Sequence, residues 1–238
     1  MSKFLITGTA GFIGFHLANA LLEQGNEVVG LDNIDEYYDV SLKYARLKTA
    51  GIQGEEVEWN KCITSSRHNN YRFIRMNLED KEDLLRLFKS EKFEYVVHLA
   101  AQAGVRYSID NPDAYIDSNV IGFFNILEAC RHFPVMYFLY ASSSSVYGNN
   151  EKVPFSENGY VDHPVCLYTA TKKSNELMAY TYCHLYKISS TGLRFFTVYG
   201  PWGRPDMAVY KFTEAMLKNK PIKVYAEGKL VRDFTYIV

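Results

Sequence analysis

Cysteine and net charge are both scarce in this sequence. Its 238 residues include four cysteines, and no two of them form a C-x-x-C pair. A cysteine metal site or a disulfide framework is therefore not expected, and reduced thiols in a cytoplasmic protein fit this spacing better. The formal net charge of −1 supplies no basic surface. This argues against nucleic acid or an anionic membrane as the main partner, and we expect no bound metal.

Long apolar runs are also missing. No stretch reaches the length of about 20 residues that a membrane-spanning helix needs. The amino terminus, MSKFLITGTAGFIG, is interrupted by glycines and is too polar for a signal peptide. With 47% hydrophobic and 22% charged residues, the composition is that of a globular protein, for which we expect a cytoplasmic location. The length suits one large domain, or one domain with a fragment of a second.

Short β-branched and aromatic runs alternate with helical patterns along the chain. The predicted strands are 3–7, 26–31, 72–76, 94–100, 137–142 and 190–196. The predicted helices are 12–24, 80–89, 113–131 and 167–186. Strands that alternate with helices favour an α/β fold with a doubly wound parallel sheet. The polar segment 51–70 is predicted to be a surface excursion between the second and third strands.

Three glycines follow the first predicted strand and open the first helix. Gly8, Gly11 and Gly14 form G-T-A-G-F-I-G. Glycines allow a tight turn and a close backbone approach to a pyrophosphate, and the helix N-terminus offers unpaired N–H groups. The second strand leads to Asp32, whose carboxylate would accept the adenosine ribose hydroxyls and repel a 2′-phosphate. The pattern predicts a dinucleotide site for NAD rather than NADP, where Asn33 either assists or simply ends the strand.

Tyr168 and Lys172 lie four residues apart on one predicted helix, so their side chains share a face. A tyrosine hydroxyl has an ordinary pKa of about 10, too high for an efficient base at neutral pH. We expect Lys172 and the positive nicotinamide ring of NAD to lower the pKa of Tyr168. The segment ASSSSVYG ends the fifth strand, at the sheet edge where α/β proteins bind ligands. Together these features predict oxidation of a substrate hydroxyl.

These motifs resemble those of the extended short-chain dehydrogenases/reductases, in the NAD-dependent nucleotide-sugar epimerase/dehydratase family. The resemblance runs from Lys3 to Ile237 and rests on GTAGFIG, HLAAQAGVRYS, NVIGFFNILEA, SSSSVYG, YTATKK and LRFFTVYGPWGRPDMA. It implies a Rossmann-type fold, NAD as cofactor and a UDP-sugar as substrate. It also implies a homodimer formed through the helices at 113–131 and 167–186.

The resemblance further assigns roles to individual residues. Ser143, Tyr168 and Lys172 are expected to be catalytic, with Ser143 orienting the reacting hydroxyl and Lys172 also holding the nicotinamide ribose. The expected cofactor-binding residues are Gly8, Gly11, Phe12, Ile13, Gly14, Asp32, Asn33, Asn77, Leu78, Leu99, Ala100, Ala101, Gln102, Asn119, Tyr168 and Lys172. The expected substrate-binding residues are Ser143, Ser144, Ser145, Tyr168, Thr197, Arg204 and Arg232. Asn77 stands where the family often has an aspartate against adenine, and its amide can still pair with the adenine edge.

The positions directly before V-Y-G carry no carboxylate. By the resemblance, the 4,6-dehydratases of the family have an Asp-Glu pair there and the UDP-glucuronate decarboxylases keep a glutamate. This chain has Ser144 and Ser145. Without an acid and a base beside carbon 5 of the sugar, elimination is not supported. The residues favour 4-epimerisation through a 4-keto intermediate.

The segment after the sixth strand indicates the sugar. Galactose-type epimerases typically have an asparagine where this chain has Thr197, and PWGRPDMA resembles the UDP-glucuronate 4-epimerase group. Arg204 is expected near the sugar and Arg232 at the diphosphate, although an arginine fork suits a carboxylate or a phosphate equally. The expected reaction converts UDP-glucuronate to UDP-galacturonate.

The pattern changes beyond Gly200, where a loop, a helix at 209–220 and the short strands IKVYA and VRDFTYI are predicted. We expect an NAD-binding domain at 1–198 and the start of a smaller, truncated substrate-binding lobe at 199–238. Four alternatives stay open. They are another nucleotide-sugar epimerase, a 4,6-dehydratase, a decarboxylase, and a non-catalytic NAD-binding fragment.

Overall fold

A twisted sheet of seven strands forms the centre of the protein. The structure is a computed structural model and describes residues 1–150, 152–222, 224, 226–228 and 231–237. The strands of this sheet are β1 (Lys3–Thr7), β2 (Glu27–Asp32), β3 (Cys62–Thr64), β4 (Tyr71–Arg75), β5 (Tyr95–His98), β6 (Tyr137–Ser143) and β7 (Ser190–Phe195). Their order is β3-β4-β2-β1-β5-β6-β7. All neighbours are parallel except β3, which pairs antiparallel with β4 at the sheet edge.

Helices cover both faces of this sheet. They are α1 (Phe12–Glu23), α2 (Ser41–Thr49), α3 (Lys81–Glu91), α4 (Tyr107–Asp110), α5 (Asp113–Ile116), α6 (Phe123–His132) and α7 (Leu167–Tyr186). A π-helical turn, Asp117–Gly122, joins α5 to α6, so the predicted helix at 113–131 is continuous but locally widened. The predicted α/β doubly wound fold is confirmed.

Two apolar clusters, one on each face of the sheet, form the core. Leu5 and Ile6 are neighbours on β1, both have 0% exposure, and they belong to different clusters. Successive strand side chains point to opposite faces, so a central strand that is covered on both sides must be apolar throughout. This explains why the predicted inner strands were continuous apolar runs instead of alternating ones.

Helix α2 and strand β3 are among the elements that lie where the sequence predicted none. Helix α2 has a polar sequence, SLKYARLKT, with three inward-facing residues, Lys43, Arg46 and Leu47. Because two of its buried residues are basic, this helix lacks the apolar periodicity by which amphipathic helices are recognised. The segment 51–70 was predicted to be a surface excursion, and three of its residues instead form the edge strand β3.

A small second sheet follows the main one. Strand β8 (Thr197–Tyr199) pairs in parallel with β9 (Phe234–Tyr236), and helix α8 (Ala208–Leu217) lies between them in the chain. The predicted strand IKVYA lies partly outside the described residues, and β9 falls within the predicted strand VRDFTYI. The division at residue 198 stays a prediction. None of the helices described here is long and apolar enough to cross a membrane.

Candidate active site

The carboxyl ends of the parallel strands open into a cleft of about 1070 Å³. Most of the predicted site residues line it. They are Gly8, Gly11, Phe12, Ile13, Gly14, Asp32, Asn33, Leu78, Leu99, Ala100, Ala101, Gln102, Ser143, Ser144, Ser145, Tyr168, Lys172, Thr197, Arg204 and Arg232. These residues are far apart in the sequence and meet because parallel strands end at the same edge of the sheet.

The glycines of this loop leave no space for a side chain at their positions. Gly8 has a φ of +81°, and a Cβ there would lie 2.8 Å from the backbone nitrogen of Ala100. A Cβ at Gly14 would collide with the carbonyl oxygen of Gly8. The N–H of Gly8 donates to the carbonyl of Leu31, 2.7 Å away, which joins the loop to the end of β2. Close backbone packing therefore demands the glycines that the sequence singled out.

Asp32 is buried at the end of β2 and is held by two backbone donors. Its Oδ2 accepts from the N–H of Ala10 at 3.0 Å, and its Oδ1 accepts from the N–H of Ile34 at 2.8 Å. Helix α1 starts beside it with Gly11 as N-cap, which provides no capping side chain, and its first turn contains no acidic residue. The first N–H groups of α1 are thus available to an anion. A carboxylate for the ribose and a bare helix N-terminus for the pyrophosphate fit a dinucleotide such as NAD.

Ser143, Tyr168 and Lys172 come together on the other side of the cleft. Lys172 is buried, and its Nζ donates to the carbonyl of Ala141 at 2.8 Å. Tyr168, one turn earlier on α7, is partly buried and shares a hydrogen bond with Ser143. The hydroxyl of Ser143 also accepts from the N–H of Ser145 at 3.2 Å and from its hydroxyl at 3.0 Å. The three predicted catalytic side chains therefore form one group.

Burial governs the pKa of Tyr168 in this structure. It raises that pKa, and the hydrogen bond to Ser143 and the charge of Arg204 oppose the rise only in part. Desolvation acts in this direction because it disfavours the charged phenolate. The expected lowering by Lys172 together with the positive nicotinamide ring stays a prediction. Burial also lowers the pKa of Lys172 to about 8. Burial therefore favours the uncharged form of both side chains more than water does.

Arg204 lies in the loop that follows β8 and is paired with Asp206. Its Nε donates to Oδ1 of Asp206 at 3.0 Å, and its Nη2 donates to Oδ2 at 2.6 Å. The hydroxyl of Tyr37 donates to the same Oδ2 at 3.3 Å, so the β2–α2 loop also contacts this pair. Arg232, the other predicted substrate arginine, donates to the carbonyl of Val231 at 2.9 Å and is exposed.

Two predicted cofactor residues, Asn77 and Asn119, are not among the residues that line the cleft. Asn119 is 1% exposed; its Oδ1 accepts from the N–H of Gln102 at 2.8 Å and its Nδ2 donates to the hydroxyl of Thr171 at 3.1 Å. Asn77 accepts a hydrogen bond of 3.3 Å from the side chain of Asn33. Both asparagines position residues of the lining.

Several residues of the cleft were missed at the sequence level, among them Tyr37, Tyr38 and Lys43. The Nζ of Lys43 donates to the carbonyl of Asp35 at 2.6 Å and lies 5.1 Å from the ring centre of Tyr38. For the two tyrosines the signal was the segment DEYYD at 35–39, which begins three residues after Asp32 and lies in no predicted strand or helix. In the part of the chain that the structure describes, no group of three His, Cys, Asp or Glu side chains could hold a metal ion.

His98 fixes the loop after β5. The hydroxyl of Thr7 accepts from the N–H groups of Leu99 and Ala100 at 3.2 and 3.1 Å, and it lies 2.8 Å from Nδ1 of His98. Because two donors already point at this hydroxyl, we assign its own proton to Nδ1 of His98. His98 is 3% exposed, so it holds the cofactor loop from inside the sheet instead of facing the cleft.

The fold and cleft define a Rossmann-type protein with a dinucleotide loop and a Ser-Tyr-Lys group. A model of the "NAD dependent epimerase/dehydratase family" matches residues 4–238, and the chain belongs to this family. The predicted family is thereby confirmed, and its NAD dependence agrees with the predicted cofactor.

Individual relatives agree with this assignment. Protein CapI of Staphylococcus aureus is 57% identical over 99% of this chain and 66% of its own length. A probable UDP-glucuronate 4-epimerase of Rhizobium meliloti is 50% identical over 99% of this chain and 64% of its own length. The crystal structure of the Bacillus cereus UDP-glucuronic acid 4-epimerase, in complex with UDP-glucuronic acid and NAD, has a TM-score of 0.85. It is 36% identical, over 99% of this chain and 69% of that one. The chain spans about two thirds of the length of the curated relatives.

We predict that His98 makes the fold sensitive to acid. Burial and the charge of Lys172 lower the pKa of His98 to about 3, from an ordinary value of about 6.5. Between these values the unfolded chain binds a proton that the folded chain does not. The stability from this group is therefore present above about pH 6.5 and is lost as the pH falls through that window, by about 5 kcal/mol in total.

Urea denaturation from neutral pH down to about pH 4 measures this effect. The control is His98→Asn, whose amide oxygen can still accept from Thr7 and does not titrate. The free energy of unfolding should fall less steeply with pH in the variant than in the parent. Equal slopes would contradict the assignment.

Proposed function

We propose that this chain carries the catalytic centre of an NAD-dependent nucleotide-sugar 4-epimerase, and that its substrate is UDP-glucuronate. The observation that carries the proposal is the grouping of Ser143, Tyr168 and Lys172 opposite the glycine loop, with serines beside them where elimination would need carboxylates. Family membership and the relatives named as UDP-glucuronate 4-epimerases support it.

The cofactor would be held by the glycine loop, the N-terminus of α1 and Asp32, with Lys172 toward the nicotinamide ribose. Bound NAD supplies a hydride acceptor that afterwards acts as a hydride donor, and its oxidised ring carries a positive charge. The loop of Leu99 to Gln102, held by Thr7 and Asn119, would close the adjacent wall.

Tyr168 is the proposed base. Its phenolate would take the proton of the sugar's 4-hydroxyl, while Ser143 accepts or donates a hydrogen bond that orients that hydroxyl. Positive charges near the phenolate favour its formation, and Arg204 already contributes one in this structure. After the 4-keto sugar turns over, the phenol of Tyr168 would return the proton to the carbonyl oxygen. The same residue thus serves both half-reactions.

Elimination lacks its acid and base at this site. Ser144 and Ser145 follow Ser143 directly after the end of β6, and Ser145 is hydrogen-bonded to Ser143. The carboxylate of Asp206, which also lines the cleft, already uses both oxygens in the bidentate pair with Arg204. This arrangement favours epimerisation over 4,6-dehydration.

A uronate substrate adds the risk of decarboxylation, because its 4-keto form is a β-keto acid. We propose that Thr197 and the serines that follow β6, Ser144 and Ser145, hold the carboxylate out of line with the ketone. Arg204 would then provide a fork that fits the carboxylate. Thr197 and Arg204 both line the cleft with Ser144 and Ser145, which supports this division of roles.

We also propose a homodimer formed through α6 and α7. Both helices expose large apolar side chains, namely Phe124, Leu177, Tyr180 and Leu185. Exposed apolar side chains on adjacent helices are typical of a protein interface. No other partner is proposed.

Tyr168→Phe should abolish turnover and leave cofactor binding intact. Loss of a general base costs about 100- to 10,000-fold in rate, whereas the ring still fills its place. The measurement pairs a turnover assay with an NAD titration. Tyr160→Phe is the control, because Tyr160 is 90% exposed and should behave as the parent. Turnover that survives in Tyr168→Phe would rule out this base.

UDP-glucuronate incubated with the chain and NAD should yield UDP-galacturonate, and NMR spectroscopy identifies the product. Arg204→Met should lower kcat/KM for UDP-glucuronate about 10- to 100-fold, and lower it less for UDP-glucose, because only the uronate loses an ionic partner. Mostly UDP-xylose as product would contradict the epimerase proposal. An equal loss for both substrates would contradict the role of Arg204.

The dimer predicts a molecular mass twice that of the chain in light scattering. Leu177→Glu combined with Tyr180→Glu should shift the protein to a monomer, because two charges would be buried at the interface. Leu217→Glu is the matched control on α8, where Leu217 is 81% exposed. A parent that is monomeric, or a dimer that survives the double substitution, would refute this interface.

A further inference from the structure

Arg46 is the largest fully buried side chain and has 0% exposure. Among the residues that the structure describes, it forms no ion pair with a carboxylate, and its Nε has no hydrogen-bond partner. Burying a charge without a counter-charge is costly, so a buried arginine of this kind needs strong compensation from polar groups. The atoms that compensate it indicate its role.

Two backbone carbonyls and one hydroxyl accept its hydrogen bonds. Nη1 donates to the carbonyl of Ala10 at 2.9 Å and to the hydroxyl of Tyr38 at 2.8 Å. Nη2 donates to the carbonyl of Trp202 at 2.7 Å. One guanidinium thus connects the middle of the glycine loop to the loop that follows β8.

On the glycine-loop side, Arg46 completes a clamp on Ala10. The N–H of Ala10 donates to Asp32, and its carbonyl accepts from Arg46. Ala10 immediately precedes Gly11, the N-cap of α1. The peptide planes that would face a pyrophosphate are therefore oriented by an anion on one side and a cation on the other.

On the other side, Arg46 holds a loop in an unfavourable conformation. Trp202 has a φ of +61°, which bulky residues rarely adopt unless their surroundings impose it. The Nε2 of His16 lies 2.9 Å from the carbonyl oxygen of Pro201. The ring centres of Phe15 and Trp202 are 5.7 Å apart. Both partners come from α1. Arg204 follows two residues later, so this docking places it at the cleft.

We propose that Arg46 is a positioning residue that couples the cofactor loop to the loop bearing Arg204. It touches neither ligand and acts through two backbone carbonyls. Occupation of the glycine loop by NAD restricts Ala10, and Arg46 transmits this restriction to Trp202. The proposal rests on the proposed function for its ligands. The bridge itself is a property of the chain.

The two tryptophans of the sequence, Trp59 and Trp202, make the coupling measurable. In a Trp59→Phe background, the remaining tryptophan reports on the bridged loop alone. Acrylamide quenching of Trp202 is measured with and without NAD, beside an NAD titration. Two variants are compared. Arg46→Met removes the charge and all donors, and Arg46→Lys keeps the charge but cannot reach both carbonyls at once.

Arg46→Met and Arg46→Lys should each weaken NAD binding about tenfold. Trp202 should be quenched more strongly in both variants without NAD, and the protection that NAD gives in the parent should be lost. The control is Arg72→Met, which breaks ion pairs to Glu27 and Glu91 at the opposite end of the sheet. In this control, Trp202 should still respond to NAD.

Parent-like NAD affinity together with a parent-like Trp202 response in Arg46→Lys would overturn the proposal. If Arg46→Met fails to fold, Arg46→Lys alone tests the proposal. A parent that does not bind NAD would instead defeat the proposed function. The bridge is then judged without cofactor. Stronger Trp202 quenching in the Arg46 variants than in Arg72→Met supports it, and equal quenching refutes it.

Discussion

The contact between β1 and α1 leaves no room for a side chain, and the rest of the site depends on it. Gly14 lies against the carbonyl of Gly8, and Gly8 lies against the backbone of Ala100. This packing brings the N-terminus of α1 to the sheet edge and sets the distance between the glycine loop and the loop after β5. Both walls of the cleft at the cofactor end are therefore positioned by these two backbone contacts.

Buried basic groups are the electrostatic signature of this protein. Lys172, His98 and Arg46 are each nearly or fully buried, and each is held by a backbone carbonyl or a neutral hydroxyl instead of a carboxylate. Such burial costs stability unless the polar contacts are good. These three side chains lie behind β6, behind the loop after β5, and between the glycine loop and Trp202, where they orient the loops of the cleft. Burial of these basic groups lowers the stability of the fold and preorganises the cleft.

Much of the fold could be predicted because local pattern and global structure agree in it. The six predicted strands are β1, β2, β4, β5, β6 and β7, and their apolar runs follow from burial on both faces. Helix α2 was missed because its inward face carries Lys43 and Arg46, which a hydrophobic period cannot reveal. Strand β3 was missed because an edge strand of three residues owes its pairing to β4, a contact that no local pattern encodes.

By itself the sequence determined the glycine loop, Asp32, the pair of Tyr168 and Lys172, and the absence of carboxylates before V-Y-G, because each depends on residue type and spacing within one short segment. Only the tertiary structure decided that burial raises the pKa of Tyr168, that Asn119 is buried against Gln102 instead of lining the cleft, and that Arg46 bridges two loops. Desolvation and long-range hydrogen bonds arise when distant segments pack together, so no single segment contains them.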